Sequence, residues 1–266
     1  MSIISIEQRL AEAGVNRRQE QILEIVRAKG FATIDSLAEE FGVSTQTVRR
    51  DVIRLDEAGL LQRFHGGAGL PGDDPVRLGY GQKREMHVAS KERIGALAAS
   101  LIENRSSVYL DVGTTVEAVA HALIDRPLRA VYTNSMASAG ILGAATQFET
   151  YVVGGMVRGA DGSLVGDAAV RALQAIAVDI AVIGCSGFAS DGSPMDFDPQ
   201  KVAVKQAALH NGRRAILVAD ASKFARPAVM LVASLATFAV IVTDSPPPAA
   251  LAKQFRKAGV SVTIAG

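Results

Sequence analysis

The stretch from Leu37 to Gly67, LAEEFGVSTQTVRRDVIRLDEAGLLQRFHGG, constrains the fold of this chain more than any other. Leu37, Ala38 and Phe41 recur at the spacing of a helix's buried stripe, and Gly42 ends that run. Val43 plugs the turn. Ser44 is suited to cap a following helix to about Ala58, in which Val48, Val52 and Leu55 follow spacings of four and three. Upstream, Ile22, Leu23 and Val26 share one face of a predicted helix from Arg17 to about Lys29, with Gly30 as its stop. Thr33 caps the middle helix, and Asp35 adds negative charge to its first turn. The pattern predicts three helices packed around one small core, with a glycine turn between the last two.

The face of the third helix opposite its apolar stripe is polar in a particular way. Gln46, Thr47, Arg50 and Arg54 lie together there, offering amide, hydroxyl and guanidinium groups of the kind that read base edges in a major groove. Ser44, Thr45 and Arg49 sit at the helix start or flank, where hydroxyls, amides and a cation hold phosphate oxygens. Asp51 and Asp56 are expected to orient or balance the arginines. After Gly59, LLQRFHGG alternates as a short β-hairpin wing, with Arg63 and His65 available to a sugar–phosphate backbone. A net charge of +1, and nine basic against ten acidic residues in the first 70, require any basic footprint to be local.

The run VSTQTVRRDVIRLDEAGLLQRFHGGA resembles the N-terminal signature of the DeoR family of bacterial transcriptional regulators. The resemblance implies a winged helix–turn–helix, a repressor acting on double-stranded operator DNA, and a recognition helix that includes Thr47 to Asp51.

At 266 residues, 48% hydrophobic and 21% charged, the chain suits two soluble domains. The expected division is a DNA-binding domain over 1–65, a linker over 66–85 rich in glycine with Pro71 and Pro75, and a larger domain over 86–266. Beyond the linker, helical runs alternate with strand candidates at Val108 to Asp111, Ala130 to Thr133, Tyr151 to Val153, Ile180 to Ile183, Ala215 to Ala219 and Phe238 to Thr243. This is an α/β pattern with a largely parallel sheet. One cysteine, Cys185, removes any internal disulfide framework and fits a reducing cytoplasm. Neither an export signal nor a membrane span is expected, and Ile3, Ile6 and Leu10 are read as a short amphipathic helix or a frayed terminus.

Ligands of open α/β sheets bind beyond the carboxyl ends of strands. Four strand ends carry suitable groups: Asp111, Gly113, Thr114 and Thr115 in DVGTT; Asn134 and Ser135 in TNS; Gly154 and Gly155 in VVGG; and Gly187 in GCSG. Arg158, Asp196, Lys205 and Lys223 complete a candidate effector site, the lysines neutralising a phosphate while Asp196 and Asp198 accept hydroxyl hydrogens. Cys185 has no base beside it in sequence and reads as a small filler rather than a nucleophile. The histidines lack metal-ligand spacing, and neither a metal nor a cofactor is expected.

This half also resembles the DeoR effector domain, in KERI at Lys91, DVGTTVEAVAHAL at Asp111, RGADGSLVGDA at Arg158, DGSPMDFD at Asp191 and DASKFARPAVM at Asp220. The resemblance implies a fold related to ribose-5-phosphate isomerase, a phosphorylated sugar or polyol as effector, and phosphate binding at Asp111 to Thr115. Lys201 departs from the pattern of the most similar members, which carry an acid there, and a charge reversal facing the pocket implies a different polyol or sugar phosphate. A homodimer or homotetramer reading paired half-sites is expected. The alternative is a sugar-phosphate isomerase carrying a DNA reader, with Asp196, Asp198 and Lys205 in acid–base roles.

Overall fold

A computed structural model describes residues 15–29, 31–64, 67–69, 80–224, 226 and 228–266. His65 and the opening segment with Ile3, Ile6 and Leu10 lie outside the described residues. The chain divides into two compact units between Arg77 and Leu78. Among the described residues, no helix is long and apolar enough to cross a membrane.

In the first unit, α1 (Arg17–Lys29), α2 (Ile34–Phe41) and α3 (Thr45–Glu57) enclose Ile22, Leu23, Val26, Leu37, Val48, Val52 and Leu55, each 0–1% exposed. Thr33 caps α2 by accepting from the Ser36 amide at 2.9 Å, and Gly42 takes the left-handed conformation (φ 61°) that turns the chain into α3. The wing pairs β2 (Gln62–Phe64) antiparallel with β3 (Gly67–Gly69). An unexpected strand, β1 (Phe31–Thr33), pairs on the other side of β3. The glycines that read as linker at 67 and 69 are therefore the middle of a three-stranded sheet, where small residues fit under the helices.

The second unit opens with α4 (Tyr80–Glu85), again within the stretch expected to be linker, and α5 (Val88–Ser100). Seven strands then form a wholly parallel sheet: β4 (Ser107–Leu110), β5 (Ala130–Thr133), β6 (Glu149–Val152), β9 (Val178–Gly184), β12 (Gly212–Val218), β14 (Val240–Thr243) and β15 (Ser261–Ile264). Their order is β15-β14-β12-β9-β4-β5-β6. Alternation sends Val108, Leu110, Ile180 and Val182 to one face, against α5, α6 (Thr114–Leu123) and α7 (Met136–Leu142). Tyr109, Ala181 and Ile183 go to the other, against α8 (Asp167–Gln174), α9 (Pro199–Asn211) and α10 (Ala249–Lys257). Burial on both faces explains the near-continuous apolar strands. A hairpin of β7 (Met156–Arg158) and β8 (Ser163–Val165), and a small sheet of β10 (Gly187–Phe188), β11 (Pro194–Asp196) and β13 (Met230–Leu231), lie outside the main sheet.

Strand order reverses between β4 and β9: from β4 the chain builds outward to β6, then returns to lay β9 on β4's other side. The carboxyl ends of these two strands, at Leu110 and Gly184, thus border the crevice where sheets of this kind bind ligands.

Candidate DNA-reading face and effector site

Ser44 starts α3 by accepting from the Thr47 amide at 3.2 Å, and its hydroxyl meets the Thr47 hydroxyl at 2.9 Å. This changes the role expected of Thr47, whose side chain is half-buried and engaged in the cap. Thr45, Gln46, Arg49, Arg50 and Arg54 are exposed, and among the described residues the three arginines make no ion pair. Asp51 does not balance them. It is buried, accepting from Arg18 Nε at 2.6 Å and Gln19 Nε2 at 2.8 Å, and so ties α3 to α1. The 3.6-residue period had put Asp51 beside the buried Val48 and Val52, which is why its partners come from the core side. Arg63 is placed in the wing strand β2.

In the second unit the crevice is built around Lys205, which α9 sends under the ends of β4 and β9. Its ammonium contacts Asp111 Oδ2, donates to the Gly184 carbonyl at 3.0 Å, and lies 3.4 Å from Asp196 Oδ2. Burial opposes this charge, but Asp111 and Asp196 outweigh it and hold the amine above the ordinary lysine range. Asp196 is likewise buried, yet Lys205, the Phe197 amide (2.8 Å) and the Ser186 hydroxyl (2.9 Å) draw it below the usual carboxylate range. Burial pushes Asp111 upward against the pull of Lys205 and of the Val112 and Gly184 amides, and its Oδ2 accepts from the Gly184 amide at 3.0 Å. Gly113 (φ 124°) starts α6 without a side-chain cap, leaving Thr114 half-buried and Thr115 buried in its first turn.

Other expected site residues are spent elsewhere. Asn134 is buried, accepting from the Tyr109 hydroxyl at 2.8 Å and donating to the Leu164 carbonyl at 3.1 Å, so it fastens β8 to the end of β5. Ser135 caps α7 by accepting from the Ser138 amide at 3.1 Å. Gly154 and Gly155 lie in the exposed turn between β6 and β7, beyond the sheet's outermost strand. Gly187 admits the backbone opposite: a Cβ there would stand 2.0 Å from the Arg226 carbonyl oxygen. Strand-end glycines look alike in sequence whether they face a ligand or a neighbouring loop.

The remaining charges are paired with carboxylates. Arg158 Nε meets Asp198 Oδ2 at 2.6 Å, Lys201 contacts Asp161, and Lys223 lies 3.8 Å from Asp220. Asp198 also caps α9, accepting from the amides of Gln200 and Lys201. Lys201, the departure in sequence, is therefore answered by an acid 40 residues earlier. Burial pushes the Cys185 thiol up to about 12, which fits a filler rather than a nucleophile at neutral pH. Among the described residues, no cluster of three His, Cys, Asp or Glu side chains is placed to hold a metal.

Two groups escape a reading of sequence alone. Ser186 supports Asp196 from the turn after β9, and Asp161 answers Lys201; the RGADGSLVGDA run was the only signal for the second.

Residues 18–73 match the DeoR-like helix-turn-helix domain, and residues 86–245 match the DeoR C terminal sensor domain. The chain is 37% identical over 232 residues to the glycerol-3-phosphate regulon repressor of Escherichia coli (strain K12), covering 87% of this chain and 92% of that protein. It is 33% identical over 255 residues to the HTH-type transcriptional repressor CsqR of the same strain, covering 96% and 97%. Ribose 5 phosphate isomerase A from Neisseria gonorrhoeae aligns over 51% of this chain and 53% of its own, at 13% identity and a TM-score of 0.36. With a sensor-domain match over more than half its length and a helix–turn–helix match before it, the chain belongs to the DeoR family of transcriptional regulators.

Proposed function

We propose that the protein is a cytoplasmic, homo-oligomeric repressor that binds operator DNA through α3 and the wing and is released by a phosphorylated sugar or polyol bound at the strand ends. The observation that carries this reading is the outer face of α3. Gln46, Arg49, Arg50 and Arg54 stand exposed on one helix, in the arrangement that major-groove readers use. Ser44, Thr45 and Thr47 at its start suit phosphate contacts, with base reading left to Gln46, Arg50 and Arg54. Names of similar proteins support repression: two of them are repressors, one of a glycerol-3-phosphate regulon.

For the effector, Lys205, Asp111 and Asp196 at the strand-order switch, with the first turn of α6 beside them, suit a small ligand bearing both phosphate and hydroxyl groups. The amides of the first turn of α6, which Gly113 leaves without a side-chain cap, suit an anion. Binding shifts operator affinity only if the two states of the protein hold the ligand differently.

Regulation is favoured over sugar-phosphate isomerisation because the groups expected to exchange protons are committed. Lys205 is held charged between two carboxylates, and Asp198 both caps α9 and pairs with Arg158. The test is a gel-shift titration on operator DNA selected from a random library, repeated across sugar and polyol phosphates. Loss of retardation with one of them is expected; operator affinity unchanged across the panel overturns the effector role. Isomerase turnover that disappears in Asp196→Asn would overturn the regulator reading.

A further inference from the structure

The main sheet ends at β6 on one side and at β15 on the other, and the two edges differ. On β6 and the hairpin strand β7, Tyr151, Val152, Met156 and Val157 are between 46% and 57% exposed, as is Met136 at the start of α7. Backbone bonds join these residues into one surface. Val153 donates to the Thr133 carbonyl at 2.8 Å, Leu164 of β8 to the Asn134 carbonyl at 2.7 Å, and Met136 to the Gly162 carbonyl at 3.1 Å. The segment from Thr133 to Met136 thus holds the end of β6 on one side and the hairpin on the other. β15 exposes only Ile264 among large apolar side chains.

Edge strands ordinarily guard their unpaired backbone with lysine, proline, a bulge or a covering segment. β6 has neither lysine nor proline, and its one acid, Glu149, accepts the Tyr151 hydroxyl. Because the Val153 amide faces β5, alternation turns the N–H and C=O of Tyr151 toward β5 and those of Thr150 and Val152 outward. Two such edges, run antiparallel about a two-fold axis at Tyr151, set Thr150 of one copy opposite Val152 of the other, and each pair exchanges both bonds. The edge is complementary to itself, as an isologous interface requires. Half-exposed side chains of this size leave about 100 Å² each in solvent, so two copies would cover about 1,000 Å², the area a specific interface needs.

We propose that β6, β7 and the start of α7 form the surface on which a second copy of this chain docks, joining the two parallel sheets through their β6 edges. The proposal rests on the homo-oligomeric reading above and names the surface for it. The two-fold axis supplies the pair of readers that paired half-sites require.

Sedimentation velocity of the full chain, over a range of concentrations, tests this. Wild type should run as a dimer or a multiple of one. Thr150→Pro removes an outward N–H and spares the bonds to β5, and Val157→Lys sets a charge in the apolar surface. Each should halve the assembled mass or weaken assembly by about tenfold or more, with circular dichroism unchanged. Tyr151→Cys gives a readout that does not depend on breaking the interface. The two-fold axis sets this position against itself in the close register, so oxidation by copper phenanthroline should yield a covalent dimer. Ile264→Cys on the other edge, and wild type with Cys185 alone, should not. Unchanged assembly in both Thr150→Pro and Val157→Lys overturns the β6 interface and leaves the homo-oligomeric reading standing. So does the absence of a covalent dimer from Tyr151→Cys, or equal crosslinking by Ile264→Cys. A wild type that stays monomeric throughout overturns both.

Discussion

The outer face of α3 and the sensor site treat charged side chains in opposite ways, although Asp51 on the inner side of α3 is paired with Arg18. On α3 the arginines at 49, 50 and 54 point outward and, among the described residues, meet no carboxylate. In the sensor unit Arg158, Lys201 and Lys223 each face one and Lys205, only 2% exposed, faces two. An outward charge contributes little to folding and remains available to a partner. An inward pair is part of the frame, and a ligand that enters must redistribute it. Substitution should therefore separate the two: reader charges change binding without stability, and sensor charges change stability first.

The largest effect is expected at the centre of the sensor. Lys205→Met removes the cation between Asp111 and Asp196 and leaves buried carboxylates unanswered, which costs about 3–5 kcal/mol. The four tyrosines, at 80, 109, 132 and 151, all lie in the sensor unit and the chain has no tryptophan, so tyrosine emission reports that unit alone. Urea unfolding followed by tyrosine should show the loss. A midpoint unchanged in Lys205→Met would break the comparison, because it would mean that the buried pairs are not structural.

Next in size is the reader. Arg50→Ala should weaken operator binding by about 1–3 kcal/mol and relax base preference at one position, with the tyrosine-detected midpoint unmoved. A Ser44→Ala change should act differently again. It removes the cap on the Thr47 amide and should lower the stability of the reading unit by about 1 kcal/mol, measured by hydrogen exchange in α3. Full retention of exchange protection there would show that the cap is redundant with the core beneath it.

The same contrast explains what sequence reveals. The reader's three helices repeat every 3.6 residues, and its caps, at Thr33 and Ser44, act on amides three residues away, so local pattern is enough. Strands of the sensor were equally legible, because burial on both faces leaves continuous apolar runs. Pairings were not. Asp111 meets Lys205 across 94 positions, and Asp161 meets Lys201 across 40, and no spacing rule connects them. A strand end makes the same residue choices for a tight loop as for a ligand, so sequence does not announce the bonds of Asn134 to Tyr109 and Leu164 or the close backbone approach at Gly187. Asp51 does pair with an arginine, but not one of its own helix: its neighbours in sequence lie on the far face of α3, while Arg18 and Gln19 reach it from α1. Composition hid α4 and β3, since glycine and proline around them look like a hinge.

The smallest effect tests whether inward pairing extends to the sensor's rim. Asp179, at the start of β9, accepts from the Ser107 amide at 2.9 Å and from the Ser107 hydroxyl at 2.7 Å. These bonds stabilise the carboxylate and lower its pKa in the folded protein, with Arg129 and Arg213 adding to the effect. A carboxylate depressed on folding holds its proton more weakly in the native state than in the unfolded chain. Its contribution is therefore complete above the unfolded value, near 4, and is lost as pH falls through the lower folded value. Ser107→Ala removes the hydroxyl but keeps the amide, so part of the shift should remain. In tyrosine-detected unfolding, wild type should lose more stability than Ser107→Ala between pH 5 and about 3, with the two curves converging at the acid end. Parallel curves would place Asp179 with the outward charges of the reader rather than the inward charges of the sensor.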